Sequence, residues 1–131
     1  MNRRLLTMAL CLFSSPLALA LAGCGSSAAP TAADPGRARQ TLDRTLDAWR
    51  DGRSVEAMRA ASPAVVVSDF RWERGDALKK YQVEGEGTPS GAERVFNVKL
   101  WIADARSKET VEQVRYRVGT DPVRTVFRAL F

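Results

Sequence analysis

Two neighbouring stretches constrain this chain most, because each alternates apolar and polar residues and only a short turn separates them. In Val95–Ala103, Phe96, Val98, Leu100 and Ile102 fall on one side, with Asn97, Lys99 and Trp101 on the other. In Thr110–Val118, Val114, Tyr116 and Val118 line one face, opposed by Gln113, Arg115 and Arg117, with Glu112 as the exception. A period of two is that of a half-buried strand. A connection as short as Asp104–Lys108 joins antiparallel neighbours, since a parallel crossover needs a dozen or more residues.

The period before these strands is helical. Asp34-Pro35 supplies an N-cap and a first-turn proline. Ala38, Leu42, Leu46 and Trp49 then recur at helical spacing as one apolar stripe, and Gly52 is a natural stop. Ser54 can cap a shorter helix carrying Val55, Met58 and Ala61, and Ser62-Pro63 ends it. Val65-Val66-Val67 reads as a short strand, and Asp69–Gly75 is a connector. Leu78–Glu84 fits a strand with Tyr81 and Val83 inward, and Gly85–Gly91 has the composition of a loop. Gly119-Thr120-Asp121-Pro122 is a turn. The last strand, Val123–Phe131, has two competing faces, Val123/Thr125/Phe127/Ala129/Phe131 and Arg124/Val126/Arg128/Leu130, and the charges favour the first as core.

Helices followed by short-linked alternating strands define an α+β class, with N-terminal helices on one face of a curved antiparallel sheet of four to five strands. The element order resembles the NTF2-like (SnoaL-like, cystatin-like) roll. The run Leu46-x-x-Trp49-x-x-Gly52, Ser62-Pro63, Asp69-x-x-Trp72-x-x-Gly75-x-x-Leu78-x-x-Tyr81, with the Tyr116-to-Phe127 end, is similar to small planctomycete-type lipoproteins. The roll's usual third helix is missing or reduced to part of residues 69–77, which argues against a deep closed pocket.

The N-terminus supplies an address. Met1–Arg4 is cationic, and Leu5–Ala22 carries no charge. Leu21-Ala22-Gly23-Cys24 resembles the lipobox of bacterial lipoproteins, which implies lipidation of the Cys24 thiol and cleavage before it. A thiol suits that alkylation because its thiolate is a strong nucleophile. The expected organisation is a lipoprotein signal peptide over 1–23, a tether over 24–33 (GSSAAPTAA follows the cysteine) and one α+β domain over 34–131. The expected location is the cell envelope, anchored through lipid, with the choice of membrane open.

Composition removes several chemistries. The chain has no histidine, which excludes Ser-His-Asp and Cys-His catalysis and histidine metal sites. Neither GxxxxGK[ST] nor GxGxxG occurs. The two cysteines are Cys11, within the signal, and Cys24, so the mature domain forms no disulfide. Neither a metal nor a cofactor is expected. Loss of residues 1–23 removes two of the 20 basic residues, leaving a net charge of +3 against 15 acidic residues. That mild excess in an exported protein points to an anionic envelope polymer or lipid, not nucleic acid.

Three functions follow as expectations. The first is a non-enzymatic binding or interaction module. The second, implied by the resemblance, is a small isomerase or dehydratase with Asp69 as base, Tyr81 beside it and Trp72 as an apolar wall. A carboxylate in such a cavity would have its pKa raised by desolvation. Against it, Asp69 can cap a turn, Tyr81 can pack in the sheet and Trp72 can fill the helix–sheet seam. Glu73 and Asp76 read as solvated loop charges. The third is a structural subunit that dimerises through the outer sheet face, which the resemblance also implies. Alternation puts Trp101 on that face beside Lys99, unless the register slips by one. Arg115, Arg117, Arg124 and Arg128 join it as a basic stripe, partly neutralised by Glu93 and Glu112.

Overall fold

The computed structural model describes residues 31–130. Helix α1 spans Pro35–Arg50, α2 Val55–Ala60 and the single-turn α3 Phe70–Glu73. Strands β1 (Val65–Ser68), β2 (Ala77–Ser90), β3 (Glu93–Ala103), β4 (Glu109–Gly119) and β5 (Arg124–Arg128) form one curved, unclosed sheet in the order β1-β5-β4-β3-β2. The α+β class holds, but the sheet is mixed, not antiparallel. β1 runs parallel to β5, pairing Val65 with Arg124 and Val67 with Val126. Short turns force antiparallel pairing only between sequence neighbours, and β1 meets its partner after α3 and three strands have intervened.

Local chemistry accounts for the helices. The Asp34 side chain accepts from the Arg37 N–H, and Ser54 does the same for the Ala57 N–H. The α1 stripe of Ala38, Leu42, Leu46 and Trp49 is buried against the sheet, as are Phe96, Val98, Leu100 and Ile102 of β3 and Val114, Tyr116 and Val118 of β4. Each large apolar side chain so buried stabilises the fold by about 1.5–3 kcal/mol relative to exposure. This core covers one face of the sheet, hereafter the inner face.

Two strands depart from expectation. β2 continues to Ser90 through the glycine-rich segment expected as a loop, with a register shift between Glu84 and Thr88. Gly87 makes this bend possible: its φ is +75°, and a Cβ there would lie 2.9 Å from Phe96 Cε1 and from Arg94 Cγ. β5 takes the opposite face assignment to the one its charges favoured. Val118 pairs with Val126 and Tyr116 with Arg128, so Arg124, Val126 and Arg128 face inward while Thr125 and Phe127 face outward. The inner face accepts these arginines because β5 is short and both lie at its ends, away from the apolar centre.

The chain is already attached at Ala33, the last residue assigned to the tether. Ala33 is buried; its N–H donates to the Ala92 carbonyl (3.1 Å) and its carbonyl accepts from Arg94 Nε (3.1 Å). Cys24 and the lipobox lie outside the described residues.

Candidate functional site

The inner face carries a polar seam where β4 and β5 meet α3. Asp69, 1% exposed, caps α3: its Oδ1 accepts from the N–H groups of Arg71 (2.9 Å) and Trp72 (3.4 Å). The Tyr116 hydroxyl donates to Oδ2 (2.5 Å), and Arg128 Nη1 lies 3.4 Å from Oδ1. Arg128 also donates to Glu112, which accepts from Arg71 (2.5 Å); Arg71 in turn donates to Asp76, shared with Arg74 (2.8 Å). Three carboxylates and three guanidinium groups therefore alternate in one chain of contacts. Such a run is strong only while every member is paired.

Titration behaviour follows from this packing. Burial opposes ionisation of Asp76, but hydrogen bonds from Arg74 and Arg71 and their charges outweigh it, holding the carboxyl below its usual range. Burial, reinforced by the Asp69 charge, pushes the Tyr116 phenol well above its usual value. Burial raises Tyr81 too, reinforced by its hydrogen bond to Asp47. These are the chain's two tyrosines. A group whose folded pKa is raised contributes stability below its unfolded value of 10.0 and loses it as pH rises further. An alkaline absorbance titration should therefore show no phenolate near pH 10, and both rings should ionise together with unfolding. Half-ionisation near pH 10 in the folded protein would contradict this.

The seam corrects several expectations. Asp76 is a buried ion-pair partner, not a solvated loop charge, whereas Glu73 is exposed. Glu112 faces inward and cannot neutralise an outer stripe. Arg124 and Arg128 leave that stripe with it. The break in β4 alternation at Glu112 was a visible sign of the seam's ion pairs, because a carboxylate at an inward position requires cationic partners.

Asp69 and Tyr81 do not share a partner. The Tyr81 hydroxyl donates to Asp47 Oδ1 (2.8 Å) and lies 3.4 Å from the Asp43 carbonyl, both on α1. Trp72 stacks on Trp49 with centroids 5.3 Å apart and planes 4° from parallel. The Trp72 indole donates to the Arg53 carbonyl (2.7 Å) and that of Trp49 to the Asp76 carbonyl (2.8 Å). Trp72 thus ties α3 to α1 and its following connector. A shallow cleft of about 320 Å³ opens beside this stack, but neither Asp69 nor Tyr81 lines it.

The outer face presents a different arrangement. No helix among the described residues packs on it. Trp101 pairs with Lys80 of β2 and Val111 of β4. Lys80 Nζ stands 4.7 Å and Lys99 Nζ 5.1 Å from the Trp101 ring centroid, within cation–π range. Val111 is 54% exposed, and Arg115 and Arg117 continue the surface along β4. Three carboxylates offset the four cations: Glu93, 3.9 Å from Arg117, Glu84, which accepts from Gln113, and Glu109, exposed beside Val111 on β4. The alternation that placed Trp101, Lys99, Arg115 and Arg117 together is thus the one the sheet adopts, and Lys80 joins them by the same alternation that turns Tyr81 and Val83 inward, while the irregularity between Leu78 and Lys80 turns Leu78 inward as well.

No protein-family model, curated protein or solved structure matches the chain. Among the described residues no cluster of metal-ligating side chains occurs, and no helix is long and apolar enough to cross a membrane.

Proposed function

We propose that this chain is a lipid-anchored protein of the bacterial cell envelope that works by binding, through the outer face of an NTF2-like roll, to an anionic envelope polymer or phospholipid surface. The observation that carries this reading is the uncovered outer face, where an aromatic ring flanked by two lysines adjoins exposed Val111, with two arginines further along β4. Large apolar groups on an uncovered face mark contact surfaces, and the surrounding charge selects the sign of the partner.

Three further observations support it. The order helix, helix, strand, short helix and four strands, with the first strand beside the last, agrees with an NTF2-like roll. The Asp69 carboxylate is engaged by two backbone N–H groups, Tyr116 and Arg128, which leaves a base little freedom to take a substrate proton. Two copies meeting through the patch centred on Trp101 would bring Lys80 and Lys99 against the same lysines, which favours an anionic partner over a second copy. The lipobox supports the anchor. Ala33 is nine residues beyond Cys24, so the attachment point lies at most about 30 Å from the lipidated residue at ~3.4 Å per residue.

A fragment beginning at Thr31 contains every helix and strand described and their shared core. It should sediment with vesicles containing phosphatidylglycerol or bind dextran sulfate, should ignore phosphatidylcholine vesicles, and should release as salt rises. In cells, palmitate labelling should vanish in Cys24→Ala. Retained labelling would remove the anchor. A salt-insensitive dimer with Trp101 shielded from quenchers, and no anion binding, would replace the partner with a second copy.

A further inference from the structure

On the opposite side of the sheet, a cleft of about 120 Å³ lies between α1, α2, β1 and β5. Four guanidinium groups line it, Arg37, Arg44, Arg53 and Arg124, and no carboxylate does. They arrive from three places. Arg37 and Arg44, seven residues apart, share one side of α1. Arg53 comes from the connector to α2, and Arg124 from the inner face of β5, opposite Val65. Arg37 has Asp121 at 3.7 Å, both well exposed. No ion pair to Arg44, Arg53 or Arg124 occurs among the described residues.

Arg124 makes the point sharply by comparison with Arg128. Both sit on the inner face of the same short strand. Arg128 has Asp69 and Glu112, whereas Arg124 has no carboxylate, and its Nη1 is buried without a hydrogen-bond partner. A buried N–H left unpaired carries its full desolvation cost, and each such group in a folded protein calls for an explanation. Like charges gathered around one small space also repel. An anion from outside the chain would relieve both.

We propose that this cleft binds a single phosphate group, with Arg44, Arg53 and Arg124 as its donors. Three cations without a counter-charge suit a group carrying about −1.5 to −2 better than a singly charged carboxylate. Guanidinium forks match the several acceptor oxygens of a tetrahedral oxyanion. The volume is well below the ~300–1,000 Å³ of sites that enclose a whole small molecule, so the rest of a larger ligand stays outside. Met58, Pro63 and Val65 give the cleft an apolar wall against which the carbon of a phosphate ester can lie. The same chemistry serves inorganic phosphate, a soluble phosphomonoester and a lipid with a phosphomonoester headgroup, such as phosphatidic acid.

The test uses the full chain in non-ionic detergent, titrated calorimetrically with inorganic phosphate, glycerol phosphate and short-chain phosphatidic acid at matched ionic strength. At least one probe should bind saturably at one site and raise the melting temperature. Arg44→Gln and Arg124→Gln should each weaken that binding tenfold or more, while Arg106→Gln in the β3–β4 turn leaves it unchanged. The tightest probe identifies the source of the phosphate. Arg44 is exposed on α1, so Arg44→Gln decides alone if Arg124→Gln does not fold. Absence of saturable binding by all three probes overturns the proposal, as does undiminished binding in Arg44→Gln. Lipid held at the outer sheet face would stay bound in Arg44→Gln, whereas lipid held in the cleft would not, so either reading can fail without the other.

Discussion

Asp69→Ala should destabilise the fold by about 3–5 kcal/mol, the range for removing one partner from a buried ion pair. The carboxylate is 1% exposed, so water cannot replace it. Three losses coincide. α3 loses its N-cap, typically ~1 kcal/mol. The Tyr116 hydroxyl, buried and with no other acceptor among the described residues, loses its partner at ~1–3 kcal/mol. Arg128 keeps Glu112 but loses a second counter-charge. In a domain near 100 residues this corresponds to a fall in Tm of more than ~10 °C. Tyr116→Phe should cost less, ~1–2 kcal/mol, because it leaves the cap and the Arg128 pairing in place. Asp69→Asn should fall between them. Urea unfolding of the three variants at neutral pH, read by near-ultraviolet circular dichroism, checks the order. A cost below ~1 kcal/mol for Asp69→Ala would show that the carboxylate is not holding the seam, and would return it to consideration as a catalytic base.

The same seam shows which parts of this structure could be read from sequence. α1 was legible because all its determinants are local: Asp34 reaches the Arg37 N–H three residues on, and the stripe repeats within one helix. The faces of β3 and β4 were legible because two strands joined by a short turn cannot change phase independently. The cap at Asp69 was also legible, since its N–H donors are two and three residues away. Its other partners, Tyr116 and Arg128, lie 47 and 59 positions along, and nothing in the local pattern points to them. That distance also explains the misassigned face of β5. Two arginines on an alternating strand argue for solvent unless their carboxylates are known, and those of Arg128 sit on β4 and before α3. The parallel β1–β5 pair is non-local for the same reason. At Gly85–Gly91 composition described a loop, whereas pairing of the long β2–β3 hairpin continued through it and used Gly87 as a bend.

The outer face was legible in its phase, and its function can be tested by charge. Lys80→Glu combined with Lys99→Glu should reduce binding to anionic vesicles about a thousandfold at low salt. Each basic residue near an anionic surface contributes about 1 kcal/mol, so reversing a charge shifts the free energy by about 2 kcal/mol. Two reversals give about 4 kcal/mol, and every 1.4 kcal/mol is a factor of ten. The dependence of binding on salt should shrink in parallel, since fewer charges remain to be screened. The fold should tolerate the change: neither lysine joins an ion pair among the described residues, and each gives up only a cation–π contact worth about 0.5–1 kcal/mol at an exposed site. Trp101→Ala separates the two parts of the surface, because it removes the ring and keeps the cations. It should lower affinity while leaving the slope with salt intact. Vesicle sedimentation across a salt series reads both quantities. If the double reversal binds as the parent does, the lysines serve only to cover Trp101. If instead it forms a dimer with the unmodified chain, charge was what kept two copies apart, and the face belongs to self-association.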